Sequence, residues 1–389
     1  MKITKIECTL IDYPLPVPLK PSWAPGRVFK STGCTLISVQ TDEGITGYGA
    51  SPDLGRGGFY TIPEMVAPYI LGMDPFQVER ISPFLRNASR DGGYPWAVEV
   101  ALWDIIGKAC NQPVYHLWGA FQKTLPAYAS LAEVPDPDEQ IRRLYLLKEM
   151  GFKAVKLRLR RPTIHEDIKM VEKVRQEFGD SLQLMVDANQ SHTMPCPNPH
   201  GSWTYHDAYT VAKEMYQLGV IWLEEPLPRY NLKQLSKLTA SVEIPIAGGE
   251  LNIALHEYKT LIENDCYDII QADCAFSEGV FQLRKVANFA EMSYKKFIPH
   301  TWSNGINLGA NLHLAASIPN CPWLEFPIDP PAWTIEARDF MITEPYNLDK
   351  DGNISVRDEP GMGYEIDQVA INRYKRNHWV SDENTAVKW

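Results

Sequence analysis

The chain has 389 residues, of which 44% are hydrophobic and 22% charged, so it is long enough for two domains or for one barrel with additions. Its formal net charge of −10 argues against nucleic acid and anionic membranes as partners, and its seven cysteines form no CxxC pair that would indicate a zinc ribbon or a disulfide framework. No apolar run reaches membrane length, and the N-terminus resembles neither a signal peptide nor a transit peptide, so we expect a cytoplasmic protein with no membrane partner.

Residues 1–124 predict a small α+β domain. Residues 2–13 alternate loosely, and residues 34–40 form a β-branched run that the turn 41–44 joins to residues 45–50, which is typical of a hairpin. Residues 95–111 have helical spacing of apolar side chains after a proline at the first turn. Residues 14–31 are rich in proline and carry Trp23, Arg27 and Phe29. We expect a long loop that binds a ligand or acts as a lid, with a disordered insert as the alternative.

Residues 125–329 alternate between short β-type runs and amphipathic segments. The runs are residues 125–131, 153–159, 182–187, 220–224, 244–248, 269–273, 296–300 and 323–326. The segments between them are residues 138–150, 165–178, 205–218, 231–236, 254–264, 280–292 and 305–317. Eight strands alternating with helices predict a closed parallel barrel with right-handed connections. Residues 330–389 have an irregular pattern, and we expect this tail to pack back on the N-terminal domain.

Ionisable residues occupy the same end of seven consecutive predicted strands. In chain order they are Lys156 with Arg158, Asp187, Glu224, Glu250, Asp273, His300 and Glu325. A parallel barrel carries its chemistry at the carboxyl ends of its strands, so we expect these side chains to converge on one pocket. Each residue alone has the simpler interpretation of a capping acid or a salt bridge at the barrel rim. Seven in succession favour an active site.

Three of these residues, Asp187, Glu224 and Glu250, lie on adjacent predicted strands. Neighbouring carboxylates raise one another's pKa, and a hard divalent cation removes that repulsion. All-oxygen ligation with room for water or substrate favours Mg2+, which is the predicted cofactor. In the alternative interpretation each acid pairs with a lysine or an arginine. That alternative needs three cations at this end of the barrel, of which Lys156 and Arg158 supply two.

Asp273 and His300 lie on the next strands, across from the three acids. A carboxylate that is hydrogen-bonded to one imidazole nitrogen fixes the tautomer and raises the basicity of the other nitrogen. Lys156 would lie next to anionic oxygens at the metal, and Glu325, if protonated in a dry site, could donate a hydrogen bond to a substrate carboxylate. These groups suit abstraction of a proton beside a carboxylate, with the metal holding the enediolate charge.

Motifs along nearly the whole chain resemble those of the enolase superfamily, specifically its mandelate racemase subgroup. Residues 97–119 resemble the family's helix at the end of the capping domain. The successive barrel motifs are AVKLRLR, LMVDANQS, WLEEPLP, IAGGE, IIQAD, IPHTW and WLEF. Together these motifs are highly specific, although no single one would be. The resemblance implies an α/β fold: a modified TIM barrel, (β/α)7β, with an N-terminal α+β capping domain that the C-terminal segment completes.

The resemblance also implies roles for individual residues. It implies Mg2+ on the three acids, His300 as the base with Asp273 behind it, Glu325 near the substrate carboxylate and Lys156 as an electrostatic partner. By the same resemblance the loop 14–31 is the specificity lid. The residues expected to bind substrate are Trp23, Arg27 and Asn189.

The sequence departs from the subgroup pattern in two places. The subgroup's racemases carry Lys-x-Lys on the second barrel strand, whereas this chain has Lys156-x-Arg158. Arginine is a poor proton acceptor, so two-base racemisation is disfavoured and one-base elimination remains. The second departure is an insert at residues 191–205, in which His192, Cys196 and His200 have a spacing compatible with zinc. A loop at the active site or a subunit contact is the preferred interpretation, because a single cysteine among prolines makes a poor closed site.

We therefore expect Mg2+-dependent dehydration of a sugar acid, an aldonate or an aldarate, to a 2-keto-3-deoxy acid. His300 would remove the α-proton, Lys156 and Mg2+ would stabilise the enediolate, and Arg158 would bind substrate carboxylate or hydroxyl groups. Racemisation, epimerisation or lactone cycloisomerisation is the alternative within the superfamily. A non-catalytic metabolite-binding protein is a third hypothesis, against which the intact Asp273–His300 pair argues. The expected partners are a small sugar acid and further copies of the chain in a homo-oligomer.

Overall fold

The structure is a computed structural model that describes residues 1–52, 56–90, 92–191 and 202–387. These residues form an α+β region, built from both ends of the chain, and a parallel barrel between them. Within this part of the chain no helix combines the length and apolar character that crossing a membrane requires.

The N-terminal region contains five strands and five α-helices. The strands are β1 (Ile3–Ile11), β2 (Tyr13–Leu19), β3 (Phe29–Thr32), β4 (Thr35–Thr41) and β5 (Thr46–Ala50). The helices are α1 (Gly58–Thr61), α2 (Ala67–Ile70), α3 (Val78–Ser89), α4 (Ala97–Ala109) and α5 (Val114–Leu117), with a π-helical turn (Ile62–Val66) between α1 and α2. The predicted hairpin is confirmed, because β4 pairs with β5 in antiparallel fashion. Helix α4 buries the predicted apolar face, including Val98, Leu102 and Ile105.

Residues 14–31, which were expected to be one long loop, belong largely to a second hairpin. β2 pairs with β3, with Tyr13 opposite Thr32 and Leu19 opposite Phe29, and the register shifts between Pro14 and Leu19. Every second residue of β2 from position 14 to position 18 is a proline, which lacks the amide hydrogen of a continuous ladder. These prolines make the sequence of β2 look unlike a strand. The prediction of a long loop is wrong, because only residues 20–28 connect the two strands. We call residues 13–32 the lid hairpin.

Among the described residues of the barrel, eight strands and seven helices alternate, as (β/α)7β predicts. The strands are β6 (Thr124–Ser130), β7 (Ala154–Arg158), β8 (Gln183–Asp187), β9 (Leu223–Glu224), β10 (Ile246–Gly248), β11 (Ile269–Ile270), β12 (Lys296–Phe297) and β13 (Leu324–Pro327). The helices are α6 (Pro137–Glu149), α7 (Ile164–Phe178), α8 (Tyr205–Gln217), α9 (Leu232–Thr239), α10 (Leu255–Glu263), α11 (Val280–Met292) and α12 (Gly305–Ala316), with a 3-10 turn (Gly179–Ser181) after α7.

The barrel strands pair in parallel in the order β12-β11-β10-β9-β8-β7-β6-β13. The two end strands of this order are joined by hydrogen bonds on either side: the Phe297 amide donates to the Asn320 carbonyl at 3.1 Å, and Thr301 Oγ1 donates to the Glu325 carbonyl at 2.6 Å. The strands therefore surround one interior, and their carboxyl ends open on one side, which we call the barrel mouth.

Capping side chains fix where the barrel helices α6 and α7 begin. Asp136 accepts hydrogen bonds from the amides of Asp138 and Glu139 at the start of α6. Thr163 and Glu166 form a reciprocal capping box at the start of α7. These side chains satisfy amides that no helical carbonyl reaches, so each helix starts at a defined distance from its strand.

The C-terminal tail, which was predicted to be irregular, contains four regular elements. They are α13 (Ile335–Asp339), β14 (Asn353–Ser355), α14 (Gln368–Tyr374) and β15 (Lys375–Asp382). β15 pairs with β1 and completes the sheet β15-β1-β4-β5, so the capping region is built from both ends of the chain. β14 pairs with β6 in the barrel. The prediction of irregularity is wrong because both strands depend on partners that are distant in sequence, which no local pattern reveals.

Candidate active site

Alternation along the barrel strands separates an apolar layer from a charged layer. A buried apolar cluster fills the interior beneath the mouth: Tyr128, Ala154, Met185, Trp222, Ala247, Ile269 and Ile298. Residues two apart on a strand point to the same face, so the side chain two positions after a cluster member points into the mouth. Four predicted site residues follow this rule: Lys156, Asp187, Glu224 and His300.

The structure brings together the three acids that were predicted to hold a metal. Asp187 and Glu224 end adjacent strands and lie opposite each other in the ladder, and Glu250 follows β10 after two glycines. All three are buried, and each offers a carboxylate oxygen within 4.8 Å of the others, an arrangement that could hold a metal ion. Because every donor is an oxygen, the site suits a hard cation such as Mg2+.

The same acids also contact cations of the protein. Lys156 Nζ lies 2.8 Å from Glu224 Oε1 and 3.9 Å from Asp187 Oδ2. Arg158 contacts Asp187, and His300 Nε2 lies 3.3 Å from Glu250 Oε2. The ion pairs that the alternative interpretation requires are therefore present, with a protonated His300 as the third cation.

The balance of buried charges at the mouth distinguishes a metal site from a self-contained network of salt bridges. Apart from Glu225, which is described below, the buried ionisable groups at the mouth are the carboxylates of Asp187, Glu224, Glu250, Asp273 and Glu325 and the cations Lys156, Arg158 and protonated His300. Five carboxylates against three cations leave two excess negative charges, which one divalent cation would neutralise. Burial raises the pKa of Glu224 to about 7 against the opposing effect of Lys156, so the protein alone does not stabilise this carboxylate fully. The residues present thus fit a divalent metal better than a self-contained salt-bridge network.

Glu225, the second acid of the WLEEPLP motif, is buried beside the three acids. Burial and then the charge of Glu250 raise its pKa well above the usual range, which favours its neutral form and leaves it out of the charge balance. Its φ of 47° is a left-handed conformation that is strained for glutamate, and such strain often accompanies a functional site.

His300 and Asp273 form the predicted pair. His300 Nδ1 lies 2.8 Å from Asp273 Oδ2, while the ring lines the cavity described below. Asn311 Nδ2 holds the pair from behind by donating to Asp273 Oδ1 and to the His300 carbonyl, both at 3.1 Å. Phe276 stacks on the imidazole with ring centroids 5.4 Å apart. The ring orientation is therefore fixed on three sides.

The surrounding acids control the protonation of His300. Burial lowers its pKa, but Glu250, Glu325 and Asp273 together raise it to about 10. The imidazole is therefore protonated at neutral pH in this structure. Any cation that shares the charge of Glu250 lowers the pKa of His300 and brings it closer to the range of a general base.

Donors and cations around Glu325 favour its ionised form, so the condition of a protonated acid is not met in this structure. Burial raises its pKa, but Lys156 and His300 lower it to about 2. Lys156 Nζ lies 2.8 Å away, the Ser130 hydroxyl donates at 2.7 Å and the Thr301 amide donates at 2.6 Å. These donors and the positive charge outweigh the effect of burial, and the role of Glu325 toward a substrate carboxylate stays a prediction. The same charges act on Lys156. Burial lowers its pKa, but Glu224 and Glu325 raise it above the usual range, so the ammonium group stays protonated.

Arg158 and Asn189 lie at the mouth, but protein acceptors occupy much of their hydrogen-bonding capacity. Arg158 contacts Asp187, and its Nε donates to the Leu131 carbonyl at 2.6 Å and its Nη1 to Asn189 Oδ1 at 3.2 Å. Asn189 Nδ2 donates to Asp187 Oδ2 at 2.9 Å. Their expected role in binding substrate stays a prediction.

A cavity of about 460 Å³ lies between the barrel mouth and the lid hairpin. Its lining residues are Leu15, Leu19, Trp23, Arg27, Phe29, Ser31, Thr32, Tyr94, Arg158, Asn189, Arg229, Glu250, Leu251, Phe276, His300, Trp302 and Trp333. Trp23 and Arg27, both predicted to bind substrate, line it. Trp23 packs against Trp302 with centroids 4.9 Å apart and under the guanidinium of Arg158 at 5.1 Å. The lid hairpin therefore forms one wall of the cavity.

The sequence interpretation missed three residues of the site. Gln271 Nε2 donates to Glu224 Oε2 at 2.8 Å, and it could have been found because it lies two positions before Asp273 on the same face. Arg229 lines the cavity directly after the WLEEPLP motif. Asn311 comes from the buried helix α12, whose apolar pattern gives no signal for it.

Most of the insert 191–205 lies outside the described residues. His192, Cys196 and His200, the zinc alternative, all fall there. The proposed roles of this insert therefore stay predictions.

Comparisons with known proteins cover nearly the whole chain. Residues 138–370 match the family model "Enolase C-terminal domain-like", and residues 7–119 match "Mandelate racemase / muconate lactonizing enzyme, N-terminal domain". The chain is 29% identical to the arabinonate dehydratase of Saccharolobus solfataricus, over 87% of this chain and 89% of that protein. It is 25% identical to the D-galactarolactone cycloisomerase of Agrobacterium fabrum, over 96% of this chain and 99% of that protein.

A solved structure agrees with the fold. The L-talarate/galactarate dehydratase of Salmonella typhimurium LT2, liganded with Mg and L-lyxarohydroxamate, superposes with a TM-score of 0.84 at 26% identity, covering 98% of this chain and 95% of that chain. These relatives include both dehydratases and a cycloisomerase that act on sugar acids or their lactones. The chain belongs to the mandelate racemase/muconate lactonizing enzyme family of the enolase superfamily.

Proposed function

We propose that the protein is a Mg2+-dependent dehydratase that converts a sugar acid, an aldonate or an aldarate, into a 2-keto-3-deoxy acid. The observation that carries this proposal is the Asp273–His300 pair, at 2.8 Å, facing three clustered carboxylates at the edge of the cavity beneath the lid hairpin. A protein that only bound metabolites would have no use for a base that three neighbouring residues orient.

Asp187, Glu224 and Glu250 would hold the metal. When bound there, Mg2+ supplies positive charge that stabilises a substrate carboxylate as it gains negative charge. The magnesium-liganded relative from Salmonella supports this assignment, and the charge excess of the buried groups supports it independently.

His300 starts the reaction by taking the proton from the carbon beside the substrate carboxylate, at Nε2. Asp273 stabilises the resulting imidazolium through Nδ1. The electron pair of the broken C–H bond moves to the carboxylate as an enediolate, which the positive charge of Lys156 stabilises. The carbon–oxygen bond at the next carbon then breaks, His300 returns its proton to the leaving hydroxide as water, and the enol product rearranges to the 2-keto acid.

Arg158 supports elimination rather than two-base racemisation. It occupies the position where the subgroup's racemases carry a second lysine, and its guanidinium contacts Asp187. A guanidinium that stays protonated cannot serve as a second base.

A substrate library tests the proposal. The Mg2+-loaded protein is incubated with aldonates and aldarates of five and six carbons, and 2-keto acids are assayed as semicarbazones. We expect at least one member to yield a 2-keto-3-deoxy acid, with one water lost per turnover. A library that yields none would contradict the proposal.

Lactone cycloisomerisation is a second candidate, which the similarity to the Agrobacterium enzyme favours. It requires the same proton transfer at His300 but no net loss of water from an open-chain acid. Incubation in 2H2O separates the two reactions: deuterium that enters substrate or product without formation of a 2-keto acid favours the second candidate.

A further inference from the structure

Three guanidinium groups line the cavity, those of Arg27, Arg158 and Arg229. Arg158 is held by Asp187, Leu131 and Asn189. Arg27 and Arg229 have no carboxylate partner among the residues that the structure describes, and Glu250 is the one acid among the lining residues of this cavity within the described ranges. The cavity therefore contains positive charge that the protein does not neutralise.

Arg229 is the more constrained of the two. Its Nη1 lies 3.4 Å from the Ser191 carbonyl, its Nη2 lies 3.3 Å from the Tyr230 hydroxyl, and its guanidinium stacks over the Tyr230 ring at 4.6 Å. These contacts orient the group without neutralising it. Its Nε is buried and has no hydrogen-bond acceptor within the described ranges. Residues 192–201, which lie outside those ranges, contain neither aspartate nor glutamate in their sequence.

Arg229 is half-buried, and a charge that is partly removed from water without a counterion is unfavourable. A planar guanidinium with free N–H groups matches a carboxylate, which accepts two parallel hydrogen bonds. Arg27 lies exposed over the Phe29 ring at 5.3 Å on the lid hairpin, where it can add to the positive potential. The unbalanced charge therefore suits an anion that enters the cavity from solvent.

The geometry points to an aldarate, a sugar acid with a carboxylate at each end, whose far carboxylate binds Arg229. This inference rests on the proposed function, because it assumes that the near carboxylate lies at the three acids and Lys156. An aldonate of the same length ends in a neutral hydroxymethyl group and leaves Arg229 without its anion. The enzyme should therefore discriminate between the two classes through the charge of the far end.

The test compares each six-carbon aldarate with the aldonate of the same configuration, using wild-type protein and Arg229→Gln. We expect wild type to have the higher kcat/KM for the aldarate. Arg229→Gln should lower the ratio of aldarate to aldonate kcat/KM by about 10- to 150-fold, the range for a hydrogen bond to a charged group. Arg229→Lys, which keeps the charge but loses the planar fork, should retain part of the preference.

The matched control is Arg142→Gln, which removes an exposed guanidinium that pairs with Glu139 on α6, outside the cavity. It should leave the ratio unchanged. The thermal unfolding temperature of Arg229→Gln, compared with that of wild type, distinguishes a loss of substrate preference from a loss of fold. A wild-type preference for aldonates, or an unchanged ratio in Arg229→Gln, would overturn the inference.

Failure of the proposed function gives a different result, because then no library member is dehydrated. Calorimetric titration of the Mg2+-loaded protein with the same pairs would then decide. Tighter binding of aldarates that Arg229→Gln abolishes supports the inference. Equal binding of the two classes, or no binding of either, overturns it.

Discussion

The barrel mouth and the lid hairpin face each other across one cavity, yet they are built differently. At the mouth, Lys156, Asp187 and Glu224 are all fully buried, and each contacts at least one group of opposite charge. On the hairpin, Arg27 is exposed and Trp23 is half-buried, and both make mainly ring contacts. From this contrast we propose that the mouth carries out the reaction and that the hairpin, together with Arg229, selects the substrate.

The largest expected effect of a substitution is at the mouth. His300→Asn removes the base but keeps a side chain of similar polarity, so kcat should fall by about 1,000-fold, within the range for loss of a general acid–base. His116→Asn is the matched control, because His116 is exposed and its Nδ1 lies 3.0 Å from Gln112 Oε1, away from the barrel mouth. Steady-state assay with the best library substrate measures both. If His300→Asn turned over substrate at the wild-type rate, the proposal that the barrel mouth carries out the proton transfer would be wrong.

The second prediction concerns proton release on metal binding. His300 has a pKa of about 10 because Glu250, Glu325 and Asp273 outweigh its burial, so below that pH a proton on His300 opposes a cation at Glu250. Mg2+ affinity should therefore rise between pH 7 and pH 9, by at most about tenfold per pH unit. Isothermal titration in buffers of different ionisation enthalpy detects the released proton.

His300→Asn serves as the control for this prediction, because it should flatten the pH dependence. The raised pKa of His300 also affects the stability of the metal-free protein. Its contribution is fully present below the pKa of about 6.5 that His300 has in the unfolded chain, and it is lost as the pH rises through about 10. An Mg2+ affinity that does not change with pH would show that His300 and the metal do not interact.

A smaller effect is expected on the lid hairpin. Trp23→Ala removes a ring that packs on Trp302 and Arg158, so KM should rise by about tenfold while kcat changes by less than about threefold. Trp23→Phe keeps a ring and should restore most of the affinity. Steady-state kinetics on all three proteins separates KM from kcat. A fall in kcat as large as that of His300→Asn would show that the hairpin takes part in the chemistry.

The same contrast explains what could be predicted from the sequence. Charged residues at the strand ends, such as Asp187 and His300, stand out because alternation and chain order place them without knowledge of any distant contact. The pairing of β2 with β3 was missed because its prolines break the pattern. Asn311 was missed because it reaches the site from a helix, and the ionised state of Glu325 was missed because it depends on Lys156, Ser130 and Thr301 together.

The central claim is that Asp187, Glu224 and Glu250 hold a divalent cation rather than serve only as partners for Lys156, Arg158 and His300. The most direct measurement is anomalous diffraction from crystals soaked in Mn2+, an electron-rich substitute for Mg2+. If the three acids hold the cation, we expect one strong anomalous peak within about 2.0–2.4 Å of an oxygen from each of the three carboxylates. At saturating Mn2+, an empty position between the three acids, with Arg158 and Lys156 still paired to Asp187 and Glu224, would contradict it.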